Sequence, residues 1–111
     1  MKKDQTRNYQ KFLMEELKSI DLAAEYLTAA IEENDGKVFI TAIKNILESR
    51  NEYQTTDLTR VGLAEKIGIS PATLSKLSKN GVKQITIGAL NKIADALDME
   101  LIIKFKPKKA A

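Results

Sequence analysis

The chain has 111 residues, of which 43% are hydrophobic and 30% are charged. This length supports one compact core and is too short for two ordinary domains. The chain contains neither Cys nor His, so it lacks disulfides, thiolate metal ligands, and the most common metal ligand and general base at neutral pH. We therefore expect no enzymatic activity, no metal and no cofactor.

The sequence also disfavours membrane insertion and secretion. The longest stretch without a charged residue, residues 67–75, has nine residues, whereas a membrane-spanning helix needs about 20 apolar ones. The basic N-terminus is not followed by the apolar region of a secretory signal. We therefore expect a cytoplasmic protein without a membrane partner.

The positive charge is concentrated in the second half of the chain. Residues 1–50 carry 8 Lys and Arg against 9 Asp and Glu, whereas residues 51–111 carry 10 against 6. A mild basic surplus indicates little by itself, because a Lys-rich face is usually only solvated. Evidence for a nucleic-acid partner must therefore come from sequence motifs.

Three amphipathic helices are predicted in the first half. Apolar residues recur every three or four positions over residues 9–17, 22–31 and 38–47, which is the period of a helix with one buried face. We expect the first helix to be short, the second to begin after an N-cap at Asp21, and the third to begin near Asp35. A short polar turn then makes the second and third helices an antiparallel hairpin, and the polar residues that follow them form a connector.

Two short helices separated by a tight turn are predicted over residues 60–79. Ala64 is small where the two helices cross, and Gly68 permits the positive φ of the turn. Ser70 followed by Pro71 is typical of an N-cap and the first helical position. This arrangement predicts a helix-turn-helix. The joint core is expected to contain Leu63, Ile67, Ile69, Leu74 and Leu77.

The last predicted elements are a helix that starts at Thr86 and ends near Asp98, and then a strand over residues 99–106, where the apolar period changes from 3.6 to 2. A lone strand leaves its N–H and C=O groups unpaired. We predict that it pairs with the same strand of a second copy, while a loosely packed tail and pairing with another protein remain alternatives. The residues predicted for dimerisation are Met99, Leu101, Ile103 and Phe105.

The sequence LAEKIGISPATLSKL (Leu63 to Leu77), followed by residues 86–97, resembles the Xre/Cro-type helix-turn-helix of phage repressors. Asp21 to Glu33 and residues 39–50 resemble the N-terminal helices of chromosomal addiction-module antidote proteins, the HigA-like antitoxins. The resemblance implies an antitoxin that represses its own operon and, when paired with a RelE/HigB-like ribonuclease toxin, neutralises that toxin.

The expected architecture is all-α: a lambda-repressor-like helix-turn-helix bundle with extra N-terminal helices and a short C-terminal β-strand. We expect a single domain, residues 1–111. Within it, residues 8–35 form an N-terminal helical extension, residues 36–98 the DNA-binding bundle, and residues 99–106 the dimerisation strand.

If residues 70–79 form the recognition helix, its outer side chains are free to enter the major groove. Lys76 is the expected base contact, because lysine can donate to guanine O6 and N7. The ends of the motif and the helix N-terminus would contact phosphates. The expected groove-facing residues are Ala72, Thr73, Ser75, Lys76 and Lys79, and the expected backbone contacts come from Thr59, Arg60, Ser70, Lys79, Lys83 and Gln84.

Charge favours DNA binding over a bundle that contacts no DNA. Residues 70–93 contain no Asp or Glu, and residues 60–83 contain five Lys and Arg against one Glu, a net charge of +4. A phosphate backbone attracts such a surface. Together with the predicted pairing of the C-terminal strand and with what the resemblance implies, this leads us to predict a dimeric autorepressor that binds a palindromic double-stranded operator. The alternatives are a stand-alone phage-type repressor without a toxin, and a protein-interaction module with a degenerate helix-turn-helix.

Overall fold

The computed structural model describes residues 2–50 and 60–109, with side chains described for 8–50 and 61–109. Within these ranges the chain forms helices and no strand, which confirms the all-α prediction. The predicted connector at residues 52–57 lies outside the described residues. The helices are α1 (Lys2–Leu17), α2 (Ile20–Glu32), α3 (Gly36–Ser49), α4 (Arg60–Ile67), α5 (Pro71–Asn80) and α6 (Ile87–Ala96), with a short 3-10 helix at Val82–Gln84.

Helices α1 and α2 begin earlier in the chain than predicted. Helix α1 extends back to Lys2, well before the predicted start at residue 9, because the polar residues of its first two turns carry no apolar stripe that could reveal a helix. The N-cap of α2 is Ser19 and not Asp21, since the Ser19 hydroxyl accepts the Leu22 N–H at 3.3 Å. Asp21 lies instead in the first turn, where its negative charge interacts favourably with the positive end of the helix dipole.

Helix α3 is the centre of the core. Its apolar stripe is buried from Phe39 to Leu47, whereas Val38 at its start is 36% exposed, and the helix packs against α1, α2 and α5. Burying a stripe of this kind is the main force that holds an amphipathic helix in place. The fully buried large side chains are Leu17 of α1, Phe39, Ile43, Ile46 and Leu47 of α3, Leu63 and Ile67 of α4, Leu74 and Leu77 of α5, Ile93 of α6 and Leu97 after it.

The N-terminus of α3 crosses α5 at very short range. The helix begins near Asp35, as predicted, and Asp35 is its N-cap, whose carboxylate accepts the Lys37 N–H at 2.9 Å. Gly36, the first residue of α3, is buried against α5, and a Cβ at this position would overlap the Leu77 carbonyl. The two helices can approach this closely only because residue 36 has no side chain.

The end of α3 is joined to the end of α6. The Arg50 guanidinium donates to the Leu97 carbonyl at 2.7 Å, and its Nη1 lies 3.9 Å from the Asp98 carboxylate. The carbonyl satisfied in this way belongs to Leu97, the C-cap residue of α6, for which no intrahelical donor remains. Arg50 therefore fixes α6 relative to the central helix.

The predicted C-terminal strand is not seen, because residues 99–109 adopt no regular secondary structure. The Met99 N–H closes the last turn of α6 on the Ala94 carbonyl at 2.8 Å. Leu101 is half-buried, but 57% of Ile103 and 96% of Phe105 are exposed. A strand needs a hydrogen-bonded neighbour, and the described part of the chain provides no second extended segment.

Among the helices of the described residues, none is long and apolar enough to cross a membrane.

Candidate nucleic-acid interface

Helices α4 and α5 and the turn between them form the predicted helix-turn-helix. Gly68 ends α4 with φ of +79°, a conformation that side chains other than glycine rarely adopt. The Ile69 N–H then donates to the Ala64 carbonyl at 3.0 Å and closes the turn. Ala64, like the apolar residues on either side of the turn, is buried. The sequence prediction of this motif is confirmed.

Helix α5 begins with a hydroxyl cap. Ser70 is the N-cap and Pro71 the first helical residue, as predicted, and the Ser70 Oγ accepts the Thr73 N–H at 3.1 Å. The Ser70 and Thr73 hydroxyls also share a hydrogen bond of 2.8 Å. Thr73, predicted to face the groove, is therefore engaged at the helix N-terminus and lies half-buried on one flank of α5.

The outer face of α5 is open to solvent. Leu74 and Leu77 are each only 1% exposed and anchor the inner face. On the opposite side Ala72, Lys76 and Lys79 are exposed, and the predicted groove-facing Ser75 is half-buried. The 100° turn per residue places these residues on the side away from the leucines. No other part of the described chain covers this face.

The C-terminal end of α5 is held by the turn between α2 and α3. Asn34 in this turn has φ of +54°, and its Oδ1 accepts the N–H groups of Val82 and Lys83, both at 3.2 Å. Gly81, which ends α5 with φ of +82°, lies so close that a Cβ would approach the Asn34 carbonyl oxygen to 2.8 Å. The role of Asn34 could not be predicted from the sequence, because its partners lie 48 and 49 residues further along the chain.

One flank of α5 faces a cleft toward α6, the α6-side cleft. It consists of two adjoining grooves of about 320 and 270 Å³ that share Thr73 and Thr86 in their linings. The N-cap residues of two helices line it, since Thr86 is confirmed as the cap of α6 and its Oγ1 accepts the Ala89 N–H at 3.1 Å. Free N–H groups at helix N-termini attract anions.

The α6-side cleft also carries positive and amide side chains. Lys76 and the predicted Gln84 line one of its grooves, and Lys92, which the sequence analysis did not single out, lines the other. Lys92 could have been found by its position on the polar side of α6, away from the buried stripe. Lys83 is exposed in the same 3-10 helix as Gln84.

Two of the predicted backbone contacts cannot be placed. Thr59 lies outside the described residues, and the side chain of Arg60, the first residue of α4, is not described either. Among the described residues, no group of acidic side chains stands close enough together to hold a metal ion. The surface around α5 is therefore one of helix N-termini, hydroxyls, an amide and lysines.

Comparison with known proteins identifies the same part of the chain. The model of a family described as the Cro/C1-type HTH DNA-binding domain matches residues 42–104, which are more than half of the 111 residues. No curated protein and no solved structure gives a match to the chain. The predicted Xre/Cro-type motif is thus confirmed, while the resemblance to addiction-module antidotes stays a prediction.

Replacing Asn34 with Gly should lower the free energy of unfolding by about 1–3 kcal/mol, because two backbone N–H groups lose their acceptor while the backbone remains free to adopt positive φ. Asn34→Asp keeps an acceptor oxygen and should stay close to the wild type. Urea unfolding of the three proteins measures the difference. Equal losses in both variants would contradict a role for the side-chain oxygen.

Proposed function

Because the chain belongs to the Cro/C1-type helix-turn-helix DNA-binding family, we propose that it is a sequence-specific transcriptional regulator whose helix α5 enters the major groove. The observation that carries this proposal is the exposed outer face of α5, with Lys76 and Lys79 opposite the buried Leu74 and Leu77. A face that is both cationic and uncovered matches the dimensions and charge of a duplex groove.

Different parts of the interface would supply sequence preference and general affinity. Lys76 has the position and the donors to read a guanine edge. Lys79, Lys83, Gln84 and the N-terminus of α5 at Ser70 would contact phosphates and fix the register of the protein on the duplex. Repression follows from occupancy of the operator, and we infer that the protein acts by binding and catalyses no reaction.

We further propose that the regulator is a homodimer joined through residues 99–106, which would set two α5 helices about one DNA turn, roughly 34 Å, apart on a palindromic operator. The exposure of Phe105 supports this proposal, because none of the residues that the structure describes covers this aromatic side chain. Strand pairing would satisfy the backbone of the tail as well.

We also propose that the protein is the antitoxin of a toxin–antitoxin pair. The segment before residue 42 lies outside the family match, and residues 21–33 within it resemble an N-terminal helix of addiction-module antidotes. On α1, Tyr9 is 64% and Phe12 is 61% exposed, so an apolar surface lies on the part of the chain that the DNA-binding family does not require. A RelE/HigB-like ribonuclease is the partner that the resemblance implies, and this surface is the proposed contact.

Lys76→Ala should weaken binding to the operator by about 1–3 kcal/mol and relax one base position, because a base contact distinguishes sequences. Lys79→Ala or Lys83→Ala should weaken binding to every duplex and reduce the salt dependence. Fluorescence anisotropy with a duplex selected from a random pool and with a mixed-sequence duplex, over a series of salt concentrations, measures both effects. If Lys76→Ala lowers both affinities equally, Lys76 does not read bases; if the wild type binds neither duplex, the chain is a protein-interaction module.

Truncation after Leu101 should shift the protein from dimer to monomer in analytical ultracentrifugation, because it removes Phe105 and most of the pairing segment. The truncated chain keeps Met99 and its hydrogen bond to the Ala94 carbonyl, so the C-terminal end of α6 should stay intact. The thermal unfolding temperature should therefore change little. A dimer that survives truncation would contradict pairing through the tail.

Co-expression with a RelE/HigB-type ribonuclease encoded beside this chain should relieve the growth arrest that the ribonuclease causes. The double variant Tyr9→Ser/Phe12→Ser should lose this protection, because it removes the exposed apolar surface of α1, and it should retain DNA binding. Growth arrest that persists with the wild-type chain would favour the stand-alone repressor.

A further inference from the structure

A second cleft lies on the other flank of α5, between that helix and α3 and α4. This α3-side cleft has a volume of about 450 Å³. Leu63 and Leu74, both buried, form its floor. The polar residues that line it are Lys37, Thr41 and Lys44 of α3 and Ser78 of α5, and its lining contains no acidic residue.

The two lysines lie on one stripe of α3. Residues 37, 41 and 44 are spaced by four and three positions and therefore share a helix face. Lys37 is exposed and Lys44 is half-buried. Two acidic residues share this helix or its cap: Asp35 caps α3, and Glu48 lies one turn beyond Lys44. Within the described ranges, neither lysine forms an ion pair with these or any other acidic group.

The two clefts border opposite sides of α5. Thr73 lines the α6-side cleft and Ser78 the α3-side cleft. At 100° per residue these two positions fall on either side of the buried leucine stripe. The outer face with Lys76 and Lys79 therefore projects between two concave and cationic surfaces.

The position of the two clefts matches the geometry of a helix bound in the major groove of DNA. An α-helix with its side chains is about 10–12 Å wide, and the major groove of a B-form duplex is about 12 Å wide. A helix seated in the groove consequently has one phosphate strand along each flank. The α6-side cleft can receive only one of the two strands.

We propose that the α3-side cleft receives the second strand, with Lys37 and Lys44 in contact with phosphates and the hydroxyls of Thr41 and Ser78 as additional donors. This inference rests on the proposed function and extends it, because Lys37 and Thr41 precede the residues that match the DNA-binding family. The cleft walls are fixed relative to each other by the contact of Gly36 with α5. Little ordering of the protein is then needed when the duplex arrives.

The test compares Lys37→Ala/Lys44→Ala with the conservative Lys37→Arg/Lys44→Arg. Lys18→Ala is the matched control: Lys18 is paired with Glu15 at 3.3 Å and lies in the turn before α2, a helix about 20 Å long that separates this turn from the one with Asn34. Binding to the mixed-sequence duplex and to the selected duplex is measured over a series of salt concentrations. Thermal unfolding verifies that all variants are folded.

Each lost phosphate contact reduces the slope of log K against log salt by about 0.9. The double alanine variant should therefore lose about 1.8 from the slope with both duplexes, while its preference for the selected duplex stays unchanged. The arginine variant should keep the wild-type slope, and so should Lys18→Ala.

An unchanged slope in the double alanine variant would overturn this inference while leaving the proposed function intact. The inference would also be overturned if Lys18→Ala lowered the slope as much as one cleft lysine does, because the effect would then be one of net charge. A wild-type chain that binds neither duplex would instead refute the proposed function itself.

Discussion

The close crossing of α3 and α5 is the constraint on which the rest of the structure depends. Backbone meets backbone there, because Gly36 has no side chain to separate it from Leu77. Asn34, in the turn just before α3, then holds the chain that leaves α5. With the inner face of α5 fixed by this crossing and by its two leucines, the orientation of its outer face is determined.

Charge is distributed unevenly between the N-terminal helices and the helix-turn-helix region. The N-terminal helices carry nearly balanced charge, whereas the segment from α5 to most of α6 carries lysines and no acid. Lys37 and Lys44 belong to the balanced half of the sequence, and folding brings them to the flank of α5. The positive surface around α5 in the folded protein therefore includes lysines from both halves of the sequence.

Local signals in the sequence were sufficient for the motif and insufficient for its surroundings. Gly68, Ser70 and Thr86 could be assigned because a turn or a cap depends on residues within a few positions. The roles of Asn34 and Lys37 depend on contacts distant in sequence, which no periodicity reveals. The predicted strand is not seen in the single chain for a related reason: alternation shows that residues 99–106 are compatible with a strand, but only a neighbouring strand can make them one.

The outer side of α5 carries two short side chains, Ala72 and Ser75, beside Lys76 and Lys79. In the proposed complex with DNA, the short side chains would let the helix backbone approach the floor of the groove but would reach few base edges. In that complex the protein would distinguish operators in part through the cost of deforming them, because flexible base-pair steps bend to meet the two clefts at lower energy than stiff ones. Base pairs outside the direct contacts would then contribute to the choice of site, in addition to the base contact proposed for Lys76.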